Sequence, residues 1–470
     1  MATLPTISSP GIGSGLDVNS IVTQLMAIEK RPLDALQTKA TSIQSTISEY
    51  GKIQSAVSTL NDLAAKLAGT SAWKQTVSNS SSTAVSAVTN NSAPGTYSVT
   101  VEALASVQTI ATGTPVPAST TPGAGTLHIE LGTYGTGQTS FTPKAGATAV
   151  DVAIAATDTL ADVRDKINAA GAGVTALIMT DASGSRLLIR SNDSGAANAF
   201  RTSGVASLAF DPSAGVTTMV QSQTAADAQA TINGLAVTSS TNSLSNIVDG
   251  LTLNLANVTT DPVTVNVVTD TDALKKTISD FAAAYTAVVK LIGTDTKYDA
   301  ATKTGGILQG DSAAVGIQRQ LRTLAGSLSA ASATFGHLSD IGLELQADGS
   351  MTVNDSKLGN ALGNLAELKK MFANSNPADP TQDGFAKRFR VATDLMLGVD
   401  GAVTTRTAGL NQQLQRNEND QDNWNVRLEQ IEQRLRAQYT ALDATMAQLS
   451  TQSAYLTQQI AQFNASNSNK

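Results

Sequence analysis

Cysteine is absent from the 470-residue chain, and histidine occurs twice, at His128 and His337. No cysteine means no disulfide, no thiolate nucleophile and no Cys-based zinc site. Two isolated histidines leave little material for a His-cluster metal site or a His-centred proton relay. Charge is also scarce: Asp, Glu, Lys and Arg make up 15% of the residues, against about 25% in a typical soluble domain. The 31 basic and 38 acidic side chains leave a net charge of −7 with no basic cluster. The counterion release that drives nucleic-acid binding therefore has no footprint, and no nucleic-acid partner is expected. No apolar run reaches the roughly 18 residues of a membrane span. A cleaved secretory signal is not expected either, because the first ionised side chain is Asp17 and no basic region precedes an apolar core.

The positive content is periodicity. After a glycine-rich leader with Gly11, Gly13 and Gly15, Ile21, Leu25 and Ile28 recur at helical spacing. Pro32 then opens a new helical segment. Leu36, Ile43, Tyr50, Val57 and Ala64 lie seven apart, with Ile53, Leu60 and Leu67 as a second row. Two such rows make one narrow apolar stripe along a helix. From about residue 76 the period becomes two: Tyr97, Val99 and Val101, then Leu127, Ile129 and Leu131, then Leu251, Leu253 and Leu255, then Val263, Val265 and Val267. That alternation describes half-buried strands. Residues 111–125, with Pro115, Pro117 and Pro122, read as a linker or long loop. A short helix from Leu160 is framed by a Thr159/Asp162 capping box and Gly171.

Helix returns near residue 271, where Leu274, Ile278, Phe281 and Tyr285 form one face. Further helices are expected over 311–329 and 355–373, with Asp311 and Asp355 as N-caps. A hairpin turning at Asp348-Gly349 is expected between them. The strongest periodic signal ends the chain: Leu428, Leu435, Leu442, Leu449, Leu456 and Phe463 are each seven apart, with no Gly or Pro after Gly409. Gln438, Thr445, Gln452 and Gln459 occupy the second core position, so the seam is half polar and suits an adaptable interface. An uninterrupted helix of about 50 residues would run roughly 75 Å, too long for one small domain to bury. The outermost segments, about 1–40 and 415–470, are expected to order on self-association, so that a dilute monomer would lose both tails to protease first.

Candidate chemistry is thin. His128 alternates with Leu127 and Ile129 and reads as a solvent-facing strand residue; His337 reads as a loop residue. Asp295 with Asp299, and Asp181 with Asp193, could suggest paired carboxylates for glycoside hydrolysis, but such residues in polar loops and beside a hairpin strand are far more often turn or cap carboxylates. Lys297 stands where a calcium loop needs an oxygen ligand. The GIGSG run at 11–15 lacks dinucleotide-loop spacing and follows no strand. No cofactor, no metal site and no enzyme activity are expected.

The opening ISSPGIGSGLDVNSIVTQLMAIEKRPLDAL resembles the start of the bacterial flagellar hook-associated protein 2 family, the filament cap proteins. The resemblance continues through ADAQATINGLAVTSSTNSLSNIVDGLTLNL, LQGD at 308–311, IGLELQADGSMTVNDSKL at 341–358 and the tail RLEQIEQRLRAQYTALDATMAQLSTQSAYLTQQI. It implies an α+β multidomain fold: a discontinuous helical and coiled-coil domain from both chain ends, with two inserted β-rich head domains. The expected segments are a leader and terminal helix at 1–40, a helical leg at 41–75 plus 270–414, a head domain at 76–110 plus 225–269, a second head domain at 111–224, and a terminal helix at 415–470.

The resemblance also implies a structural cap at the distal filament end that promotes flagellin polymerisation. It implies a homo-oligomeric ring, on the order of five or six subunits, and, as further partners, hook–filament junction proteins and an export chaperone. Location at the extracellular filament tip, by export without a cleaved signal, follows from it too. On that analogy Ile21, Leu25, Ile28 and the 428–463 row carry self-association or filament contacts. Leu36, Ile43, Ile53, Val57, Leu60, Leu67, Leu274, Ile278, Phe281 and Tyr285 pack the leg. An alternative function is an extracellular adhesin binding glycans through the β heads.

Overall fold

The computed structural model describes residues 17–301 and 303–467; the GIGSG run therefore lies outside the described residues. Nine helices are present among them: α1 (Val18–Glu29), α2 (Arg31–Ala68), α3 (Leu160–Ala170), α4 (Thr271–Thr296), α5 (Ser312–Ala325), α6 (Asp355–Leu362), α7 (Leu365–Ala373), α8 (Phe385–Leu397) and α9 (Ala402–Asn467). The chain divides into two compact units. One holds the residues up to Gly69 together with those from Lys275 on, and the other is Thr70–Leu274.

In the helical unit, α2 forms where the two sequence rows demand it. Tyr50, Ile53, Val57, Leu60, Ala64 and Leu67 are all fully buried, as is Ile43 nearly so, whereas Leu36 is half-buried near the start. Pro32 sits in the first turn, where its missing N–H removes no helical bond. The helix packs on α8 and α9. From α4, Leu274, Ile278, Phe281 and Tyr285 are buried. Phe281 meets Phe389 edge-on at 5.2 Å and Phe372 at 6.3 Å, and Tyr285 meets Phe389 at 5.9 Å. Edge-to-face pairs of this kind add about 0.5–1.5 kcal/mol each beyond their burial.

The region expected to be a single helix over 355–373 is two, α6 and α7. The break falls at Gly363 and Asn364, and the Asn364 side chain accepts from the Glu367 N–H to cap the second helix. The cap of α6 is Asn354, not Asp355. Asp311 does cap α5, which ends at Ala325, short of residue 329. The hairpin pairs Leu343–Leu345 with Met351–Val353. Its loop is longer than a two-residue turn, and Gly349 takes the left-handed conformation (φ 86°) that a side chain resists.

The β unit contains two cores, and all its strand pairs are antiparallel. In the first, a five-stranded sheet runs in the order 76–80, 263–269, 95–103, 228–232, 235–239. A three-stranded sheet, 243–248, 251–255 and 85–89, supplies the rest of that core. Val99, Val101, Val265 and Leu253 fill it, so the alternation in the sequence is the alternation of inward faces. The last two strands of the larger sheet turn through Asn233 (φ 47°) and Gly234 (φ 84°). That Asn-Gly pair is a strong two-residue hairpin signal.

The second core gathers Ile110, Leu127, Ile129, Leu187, Phe200 and Phe210 against α3. Thr159 and Asp162 form the capping box of α3, and Gly171 ends it in the left-handed conformation. Residues 111–125 are not wholly loop: strand Thr109–Thr112 reaches into them, and Val116 bridges to Ser185.

One buried polar cluster ties three helices of the helical unit. The Tyr50 hydroxyl donates to Asp311 Oδ1 at 2.7 Å, and Arg406 Nε donates to Asp311 Oδ2 at 2.9 Å. Burial alone would raise the Asp311 pKa. The bonds from Tyr50, the Ala314 N–H and Arg406 outweigh it and hold the carboxyl below the ordinary carboxylate range. A depressed folded-state pKa stabilises above the unfolded value, near 3.9, and that stability is lost as pH falls through the folded value. Tyr50→Phe removes one donor to a charged acceptor and should cost about 2 kcal/mol at neutral pH. It should also move acid unfolding of the helical unit to higher pH. Urea titrations followed by circular dichroism at pH 3 to 7 test this; an unchanged acid midpoint would show that the cluster does not stabilise the unit.

Candidate functional site

The terminal seam is built from α1 and α9. The 66 residues of α9 are one helix, roughly 99 Å long. It begins at Ala402, well before residue 415, because Gly409 sits mid-helix without interrupting it. Val403, Leu410, Asn417 and Ile431 are buried along it, and with half-buried Trp424 they stand seven apart. Asn417 puts a polar layer into that row; its Oδ1 accepts from Gln421 Nε2 at 2.7 Å.

Further along, α9 packs on α1. Val18, Val22, Met26 and Leu33 form a core with Leu428 and Ile431, flanked by Trp424, Leu435 and Tyr439. Asp17 caps α1 by accepting from the Ser20 N–H at 2.9 Å. Arg436 Nη1 donates to Asn19 Oδ1 at 3.1 Å, next to the N-terminal end of α1.

This geometry sorts the residues singled out from sequence. On α1 the face turned to α9 is Val18, Val22 and Met26, a row at four-residue spacing that the sequence analysis passed over. Ile21 and Leu25 are half-buried and Ile28 is 57% exposed. On α9 the seven-residue row splits. Leu428 is buried and Leu435 half-buried against α1 within the same chain, whereas Leu442, Leu449 and Leu456 are 45%, 55% and 59% exposed. The Phe463 side chain lies outside the described residues. Met446, Tyr455 and Ile460 are exposed beside the row, as are Gln438, Thr445, Gln452 and Gln459.

Beyond Arg436 the helix carries one ionised residue up to Asn467, Asp443. A solvent-facing helix is ordinarily charged. Burying each leucine is worth about 1.5–3 kcal/mol. A row of exposed leucines without charge to keep it solvated is a surface suited to association.

Several of the carboxylates, and both histidines, make local turn, cap or cross-strand contacts. His128 Nδ1 pairs with Asp151 across neighbouring strands on the exposed face. The His337 N–H donates to Asp340 Oδ2 at 2.8 Å. Asp181 accepts from the Ser183 N–H in a turn at 2.7 Å. Asp295 is pushed above the ordinary range by burial and then by neighbouring Glu49, yet it lies at the end of α4 and not in a cleft. Among the described residues no cluster of three His, Cys, Asp or Glu could hold a metal ion, and no helix is long and apolar enough to cross a membrane.

Known proteins share this arrangement. The flagellar hook-associated protein 2 C-terminus model matches residues 225–451, and the N-terminus model of the same family matches 14–108. Flagellar hook-associated protein 2 of Escherichia coli (strain K12) is 31% identical over 481 residues, covering 97% of this chain and 98% of that protein. The chain belongs to the flagellar hook-associated protein 2 family. Within the family, the A-type protein of Pseudomonas aeruginosa is 28% identical over 97% of this chain and 98% of its own length. The flagellin hook IN motif model matches residues 133–193, inside the second β core. A crystal structure of the D1-D2-D3 domains of the flagellar cap protein from Escherichia coli superposes with a TM-score of 0.58 at 29% identity. It covers 77% of this chain and 99% of that one. The α+β multidomain architecture is thus the family's own.

The two faces of α1 should behave differently. Val22→Asp places a carboxylate at a position 1% exposed and should release α1 from α9, raising hydrogen exchange of α1 amides at least about tenfold in the dilute monomer. Ile28→Asp should leave that exchange unchanged. Equal protection in the two variants would contradict the assignment of faces.

Proposed function

We propose that this protein is the structural, non-enzymatic cap at the distal end of a bacterial flagellar filament. It holds exported flagellin subunits at the tip so that they polymerise and are not lost. It works as a homo-oligomeric ring on the order of five or six copies, outside the cell. It reaches the tip through the flagellar export route without a cleaved signal, escorted by an export chaperone, and meets hook–filament junction proteins on the way. Leu442, Leu449, Leu456 and Phe463, with Ile21, Leu25 and Ile28, are the self-association or filament contacts. The five-segment division into leader, leg, two heads and terminal helix belongs to the same proposal.

The observation that carries this reading is the leucine-lined end of α9 with its single charge at Asp443, in a chain whose relatives are named hook-associated proteins. Its half-polar seam suits a contact that must break and re-form as each subunit adds, since glutamines and threonines lose less on re-exposure than leucines do. An adhesin function in the β heads draws no support from the relatives' names.

A Leu442→Asp/Leu449→Asp double variant should abolish filament growth in a strain lacking its own cap, with unpolymerised flagellin appearing in the medium. The same protein should keep its native circular dichroism and head stability, and light scattering should show loss of the closed oligomer. Normal filaments from that variant would sink the proposal.

A further inference from the structure

Helices α5 and α8 of the helical unit border an open groove of about 710 Å³. Its floor is apolar, with Leu324 and Ala392, and its α8 wall exposes Val391 (44%) and Leu395 (67%). Gly316 opens the α5 wall, where a side chain would otherwise project. Along α8 the lining runs from Arg388 to Leu395, two helical turns or roughly 10 Å. That matches the reach of apolar residues at positions i, i+4 and i+7 of one docked helix.

Two guanidiniums, Arg319 and Arg388, line the same groove. Among the described residues neither forms an ion pair with a carboxylate, although Arg390 on the same helix finds Asp394 at 3.7 Å. Arg388 instead donates to the Leu328 carbonyl at 3.0 Å and lies 5.5 Å from the centre of the Phe385 ring. Burial depresses its pKa by more than the attraction of Asp383 raises it. One acid, Asp383, also lines the groove; its Oδ1 accepts from the Asn376 N–H at 2.7 Å, and the two guanidiniums outnumber it.

We propose that the α5–α8 groove is a docking site for an amphipathic helix that carries carboxylates beside its apolar face and belongs to a different protein. Leucine-type side chains fill the floor between Val391, Leu395 and Leu324, and the carboxylates meet Arg319 and Arg388. The exposed tail of a second copy is a poor match, because beyond Arg436 its helix carries one carboxylate, Asp443, and would leave at least one guanidinium unanswered. This inference stands apart from the cap reading and uses none of the terminal seam.

The test uses the full chain and two fluorescein-labelled helical peptides with the same leucine row, one flanked by Glu and one by Lys. Fluorescence anisotropy should show the Glu peptide binding about tenfold or more tighter. Arg319→Glu should erase or invert that preference. A side chain at Gly316 would start in open space, with nothing within 4 Å of its Cβ, so Gly316→Trp should fill the groove without disturbing the fold and abolish binding of the Glu peptide. Equal affinity for the two peptides, or Glu-peptide binding that survives Gly316→Trp, would overturn the proposal. So would loss of the oligomer in Gly316→Trp by light scattering, because the occupant would then be a second copy. Filament growth is not the readout, so the cap proposal can fail while this one holds, and the reverse.

Discussion

The packing of α2 against α9 sets the architecture. One helix lies near the start of the chain and the other at its end, so burying their stripes together closes a loop of more than 300 residues. Within that loop only Thr70–Leu274 forms a separate unit; from Lys275 on the chain is back in the helical unit. The strands of 76–269 are therefore an insertion, and they carry their own two cores. Closing so long a loop costs little more than closing a short one, since the entropy grows only with the logarithm of length. The burial of Tyr50, Ile53, Val57, Leu60 and Leu67 on α2 readily exceeds that increment.

The same helix that closes the unit also leaves it. Up to Tyr439, α9 has partners within the chain, first α2 and then α1. Past that point it continues as helix for 28 more residues, to Asn467. Sequence composition changes at the same place. Between Arg416 and Arg436 charges of both signs are interspersed, as on a helix that keeps one face in water, whereas beyond Arg436 Asp443 is the one ionised residue up to Asn467. Intramolecular pairing and surface charge end together, which is what an intermolecular segment requires: charge there would be desolvated on assembly at a cost.

Periodicity made much of this legible. The α2 stripe, the alternating strands, the capping box of α3 and the Asp311 cap were all readable because each is a local pattern whose cause lies within a few residues. The misses are equally physical. Helix α8 escaped because its buried Phe385, Phe389, Ala392 and Met396 are separated by Lys387, Arg388 and Arg390, and the small Ala392 gives the row little contrast. The split between α6 and α7 hung on one Gly-Asn pair acting as stop and cap at once. The intramolecular face of α1 was missed because Val18, Val22 and Met26 compete with the larger Ile21, Leu25 and Ile28. Size favours the second row, whereas packing against Leu428 and Ile431 of α9 buries the first. The Tyr50–Asp311–Arg406 cluster joins residues up to 356 apart in sequence, and no local pattern marks such a partnership.

That α1 carries two apolar rows bears on how assembly could proceed. A helix with one stripe must choose between its own chain and a neighbour. With Val18, Val22 and Met26 satisfied by α9, the Ile21–Leu25–Ile28 row stays available without unfolding the intramolecular core. Further along α9, past its contacts with α1, lies the exposed row of Leu442, Leu449 and Leu456. Intramolecular docking of α1 thus orders α9 up to Tyr439 in advance, which lowers the entropy to be lost when the remaining seam meets a partner. The half-polar second row then limits how tightly that partner is held. An anchor that is rigid near the body and adaptable toward its end follows from one helix whose neighbours run out partway along.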